Sequence, residues 1–63
     1  MKRGDLAVGK LLWMKDINQP CLVIEEITEW DEWQVMCADG KNRIFTTDVL
    51  LQFFEDIDDV HQA

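Results

Sequence analysis

Five carboxylates fall within residues 25–32, at Glu25, Glu26, Glu29, Asp31 and Glu32. Paired acids of this kind can perform glycoside hydrolysis, but only across a cleft that separates their pKa values. Nothing around them supplies an enclosing pocket, so they read as a solvated acidic rim. Cys21 and Cys37 are the other reactive side chains. A nucleophilic cysteine needs a base, and the single His61 sits in a polar tail. A metal site would show close ligand pairs such as CxxC, which are absent here. Each thiol lies in an apolar, strand-like run, where it behaves as a small hydrophobe. Core thiols are therefore expected ahead of a disulfide, and a metal role comes last. Gly4, Gly9 and Gly40 lack the spacing of a phosphate loop. The expectation is a non-enzyme with no cofactor and no metal.

What the same region offers instead is recognition. In Glu29-Trp30-Asp31-Glu32-Trp33, two indoles stand among three carboxylates. Flat apolar rings beside acids suit a basic or cationic protein partner better than a polyanion. The rings would supply the anchor, and Glu29, Asp31 and Glu32 the orientation and association rate.

Composition sets the outer limits. The chain has 63 residues, a formal net charge of -7 and 48% hydrophobic residues. A chain of this size buries roughly 60% of its unfolded surface, enough for one modest core. The apolar content argues against disorder, and the negative field works against binding a phosphate backbone. Direct nucleic-acid binding is a weaker third option, in which Lys2, Arg3, Lys10, Lys15, Lys41 and Arg43 would cluster, and the surrounding acidity disfavours it. No apolar run approaches the roughly 20 residues of a membrane helix, and Met1-Lys2-Arg3 is not followed by a signal-peptide core. The expected location is the cytoplasm.

The elements that must position the aromatic–acidic segment read as strands. Residues 5–9 alternate, and 11–14 continue the apolar character. Residues 15–20 read as a polar loop closed by Pro20, which would sit badly inside a sheet. Residues 21–24 form a buried-looking strand extended by 25–28. The adjacent glutamates break its alternation and predict a bulge that would return Ile27 to the core, unless the strand is an edge. Trp33, Val35 and Cys37 share one face of the next strand. Asp39-Gly40 marks a hairpin, and residues 43–46 return from it. Thr47 or Asp48 caps one helical turn over 47–50, and 51–54 close as a last strand. Phe53 and Phe54 cannot both face inward on a regular strand. Residues 55–63 read as an acidic, mobile tail.

This order predicts an all-β domain over residues 1–54, a small five-stranded barrel with one helical turn before the last strand, whose closure protects its edges. The layout resembles SH3-like barrels. Met1-Lys2-Arg3-Gly4-Asp5-Leu6, Cys21-Leu22-Val23-Ile24-Glu25 and Asp39-Gly40-Lys41 are similar to small SH3-like proteins common in tailed-phage genomes. That resemblance implies a host protein complex or a virion component as partner, and the host cytoplasm as location. Peptide-binding SH3 domains place an aromatic at the start of the third strand beside acidic loops, and Trp33 after Asp31 and Glu32 resembles this. Their early Ala-Leu-Tyr-Asp-Tyr-type motif is missing, tyrosine is absent, and Thr46-Thr47-Asp48-Val49-Leu50 replaces the usual Pro and Tyr. Polyproline recognition, which needs several aromatic ridges, is not expected. A Tudor-type cage for a methylated ammonium would need Trp13, Trp30, Trp33 and Phe45 to converge.

The functional expectation is a small acidic protein–protein interaction module using Trp30, Trp33, Glu29, Asp31, Glu32, Trp13 and Phe45. The alternative is an acidic decoy that occupies the nucleic-acid-binding surface of a host protein. Self-pairing through Phe54 or Trp30 remains open.

Overall fold

A computed structural model describes residues 1–57. Five strands form one antiparallel sheet in the order β4-β3-β2-β1-β5. They are β1 (Leu11–Met14), β2 (Gln19–Ile27), β3 (Glu32–Cys37), β4 (Asn42–Thr46) and β5 (Phe54–Asp56), with the short helix α1 (Thr47–Phe53) before β5. The chain is thus mostly β, with β4 and β5 as the edges of an open sheet.

Alternation along the strands builds the core. Leu12 and Met14 of β1, Cys21 and Val23 of β2, and Trp33, Val35 and Cys37 of β3 are all buried. Leu6, Leu50 and Phe54 complete the cluster. The sheet curls strongly enough that its edges approach: Phe45 of β4 meets Phe54 of β5 edge to face, ring centres 5.3 Å apart. Phe54 is buried and Phe53 exposed, so the two adjacent rings do divide between inside and outside.

Several boundaries differ from the expectation. Residues 5–9 are not a strand: Arg3–Asp5 form a 3-10 turn, and Gly9 turns the chain at φ 93°. That turn brings the Gly9 N–H onto the Val23 carbonyl at 2.8 Å and the Val23 N–H onto the Lys10 carbonyl at 2.9 Å, aligning β1 with β2. The polar loop is shorter than expected, because Pro20 lies within β2 opposite Trp13. Its carbonyl accepts the Ala38 N–H at 3.2 Å, and its missing donor falls where β3 has already ended. The helix extends to Phe53, displacing the last strand to residues 54–56. Thr47, Leu50 and Leu51 pack inward at helical spacing, and the cap is Thr46 rather than Thr47 or Asp48: its Oγ1 accepts the Val49 N–H at 3.3 Å, and Thr47 is already the first helical residue. Glu55 and Asp56 belong to β5 rather than to a tail, where they pair with Lys15 and Lys10. Of the expected tail, residues 58–63 lie outside the described residues.

The bulge is present, between Val23 and Glu25. It shifts the alternation so that Glu25 pairs with Gln34 and is exposed, away from the core face. Ile27 is carried with it, opposite Glu32, and stays half-buried outside the core.

The Asp-Gly hairpin joins β3 to β4 as expected. Gly40 adopts φ 85°, and its N–H donates to the Cys37 carbonyl at 2.9 Å. The Asp39 carboxylate accepts from the Lys41 N–H at 3.0 Å and from the Arg43 guanidinium at 2.9 and 3.2 Å. Those bonds, Arg43 first, lower the Asp39 pKa from 3.8 to about 2. A depressed carboxylate contributes stability that is fully present above its unfolded value and is lost as pH falls through the folded one. Acid unfolding should therefore draw on Asp39 as pH falls from 3.8 toward about 2. Asp39→Asn should flatten that limb of the stability curve, measured by urea midpoints across the acid range. An unchanged limb would show that the hairpin bonds do not contribute.

Candidate protein-interaction site

The aromatic–acidic segment folds into a braced turn between β2 and β3. Thr28–Trp30 form one 3-10 turn, closed by Asp31 in the left-handed region at φ 53° and ψ 44°. Aspartate tolerates this conformation better than most residues, because its short polar side chain can bond locally. Here that side chain is held from two elements. The Thr47 hydroxyl donates to Asp31 Oδ1 at 2.9 Å, and Arg3 pairs with the same oxygen. The Asp31 carbonyl accepts the Thr47 N–H at 2.9 Å. Arg3 first, and then Thr47, hold the Asp31 carboxyl below its ordinary range. Asp31 therefore acts as a brace within the chain.

Below the turn, Trp33 Nε1 donates to Thr47 Oγ1 at 2.9 Å. One hydroxyl thus links the core indole to the surface turn: it accepts from Trp33 and donates to Asp31. Thr47 is itself buried, so its removal would strand the indole N–H away from water. Thr47→Val, which keeps the shape, should destabilise by about 1–3 kcal/mol. A urea midpoint equal to wild type would show that this bridge does not hold the turn.

The seven expected contact residues separate into different environments. Trp30 is 70% exposed and stands on the braced turn. Glu29 is exposed beside it, and Glu32 is half-buried opposite Ile27 and Thr46. Trp33 is only 6% exposed and belongs to the core, so it is not available to a partner. Phe45 also faces inward, packed against the core through Phe54. Trp13 is half-buried on the outer face of β1, the side opposite Leu12 and Met14.

These rings do not form a cage. Trp13 is level with Pro20 of β2, and Trp33 with Glu26. Six residues of strand separate those levels by about 20 Å. Trp33 and Phe45 lie on the inner face, whereas Trp30 points out from the turn at its end.

One feature of the outer face was missed in the sequence. Leu11, Leu22 and Met36 are exposed and stand in register across β1, β2 and β3. Ile44 of β4, also exposed, lies opposite Gln34 and hence diagonal to Met36. The signal was the two-residue period inside each apolar run, which sends Leu11 and Leu22 outward while Leu12 and Cys21 go in.

A shallow depression of about 220 Å³ is lined by Gly9, Lys10, Leu11, Asp56 and Ile57. It is smaller than the roughly 300–1,000 Å³ of most small-ligand pockets. Among the described residues, no three His, Cys, Asp or Glu side chains cluster to share a metal ion, and no helix is long and apolar enough to cross a membrane. Comparison with known proteins found no matching family model, no matching curated protein and no matching solved structure.

Proposed function

We propose that this chain is a non-enzymatic protein-interaction module that engages a basic protein surface with Trp30 as its anchor. The observation that carries this reading is the exposed indole on a turn held by Arg3, Asp31 and Thr47. An anchor held in place before contact loses little conformational freedom on binding, which is what makes a single aromatic effective. Glu29, beside the ring, and the net charge of -7 favour approach by a cationic partner. The strong curl of the sheet and the Phe45–Phe54 contact support an SH3-like barrel in the finer description of the fold. With it comes the reading of a phage-type protein acting on a host complex or virion component in the host cytoplasm.

The test is affinity capture from a host lysate at low and moderate salt, with folded Trp30→Ala as control. A partner captured by the wild type and lost by the control supports the anchor. A partner kept by the control but released by salt would replace it with the acidic-decoy reading.

A further inference from the structure

Cys21 and Cys37 stand directly opposite each other on β2 and β3, 1% and 3% exposed. The backbone determines what kind of pair they form. The adjacent Ala38 N–H donates to the Pro20 carbonyl, so hydrogen bonding falls at the next position along. Cys21–Cys37 is therefore a non-hydrogen-bonded pair, where opposed Cα atoms come to about 4.5 Å. Disulfides span Cα separations of about 4.4–6.8 Å, so the backbone already meets that requirement. Both thiols are free, and the Cys21 thiol donates to the Cys37 sulfur across 2.9 Å.

We propose that this pair is a thiol–disulfide exchange site, which a small disulfide of the glutathione type oxidises to a Cys21–Cys37 cross-link between β2 and β3. One cysteine, as its thiolate, attacks a sulfur of the small disulfide and expels a thiolate. The other cysteine, as its thiolate, then attacks the protein sulfur of the mixed disulfide and expels the second small thiolate. Two protein S–H bonds are lost and one S–S bond forms. The two electrons pass to the small disulfide, and the two protons leave with its two thiols.

Access comes from one end of the sheet. Cys37 is the last residue of β3, before the exposed turn at 38–41, and Cys21 is the third of β2, after the turn at 15–18. Fraying of that end exposes both sulfurs without unfolding the rest. Burial first, then the hydrogen bond to Cys37, pushes the Cys21 thiol up to about 12, so the closed state reacts slowly and fraying sets the rate. The Trp30 turn is at the other end of the β2–β3 hairpin. Oxidation therefore staples the sheet and leaves the anchor in place, so this site stands independently of the proposed binding function.

The experiment uses the full reduced chain, incubated under native conditions with oxidised glutathione and followed by intact mass and urea unfolding. The expected product is a monomer lighter by two hydrogens, with no glutathione retained. The cross-link closes a loop of 15 intervening residues, so the unfolding equilibrium constant should fall roughly hundredfold. Cys37→Ser should form no cross-link, and if that variant fails to fold, the oxidised and reduced wild-type chains decide the question between them. Persistent glutathione adducts, covalent dimers, a cross-link that forms only in denaturant, an oxidised chain no more stable than the reduced one, or no reaction at all would each overturn the proposal.

Discussion

Trp33→Ala should leave a chain with little native population at room temperature. Emptying a buried aromatic site costs about 3–5 kcal/mol, through lost burial and the cavity left behind. A 63-residue domain has a total stability of only about 3–9 kcal/mol. Two further losses fall on the same substitution. Thr47 Oγ1 gives up the indole donor, and Val35 loses a neighbour on the inner face of β3. The damage also reaches the surface, because Thr47, with Arg3, holds Asp31. Circular dichroism and urea unfolding would show it directly. Trp33→Phe retains most of the ring while deleting the N–H, and should fall between wild type and alanine. A Trp33→Ala chain that unfolded near the wild-type midpoint would remove Trp33 from the core and reopen its role in binding.

Trp30→Ala should do the reverse. Substitutions at exposed positions outside packed or capping roles usually change stability by no more than about 0.5 kcal/mol. The ring lies outside the core cluster, and the brace runs through Asp31, Thr47 and Arg3 rather than through the indole. Binding is where the effect should appear. An aromatic anchor typically contributes about 2 kcal/mol or more, which is roughly a thirtyfold increase in Kd. Titration of the captured partner against both proteins measures this, with matched urea midpoints confirming that the fold is intact. A Kd within about threefold of wild type, under 1 kcal/mol, would mean that Trp30 is not the anchor. The contrast between neighbouring tryptophans is the strongest consequence of the turn: one substitution removes the fold and the other removes a surface.

Some of this was legible in the chain. The strand Glu32–Cys37 was readable because Trp33, Val35 and Cys37 alternate with polar or outward-facing residues, and period two identifies a half-buried strand. The hairpin was readable because Asp-Gly supplies both positive φ and a side-chain acceptor. Helix α1 was only half legible. Its start was legible as a hydroxyl-capped turn but one residue late, since Thr46 rather than Thr47 or Asp48 is the cap, and its end at Phe53 depends on Leu50 and Leu51 packing inward, while Leu51-Gln52-Phe53 imitates strand alternation. The first strand was misplaced for a related reason. Residues 5–9 alternate locally, yet Gly9 turns the backbone and the ladder begins only at Leu11.

Residue order alone makes this chain mostly β, acidic, and marked by an aromatic–acidic turn between two strands. Those properties follow from side-chain period, net charge and turn chemistry, all of which act over a few neighbouring residues. Which tryptophan is a strut and which is a surface depends on contacts far apart in the chain. Trp30 and Trp33 are three residues apart with acids around both, and no local rule separates them. The difference comes from Thr47 and Arg3, distant in the chain: one accepts the Trp33 indole, and both hold Asp31. The same holds for the two cysteines, which become opposed only through the register of β2 and β3. Register is set by the summed packing of the whole sheet, because a slip of one residue would turn every core side chain outward.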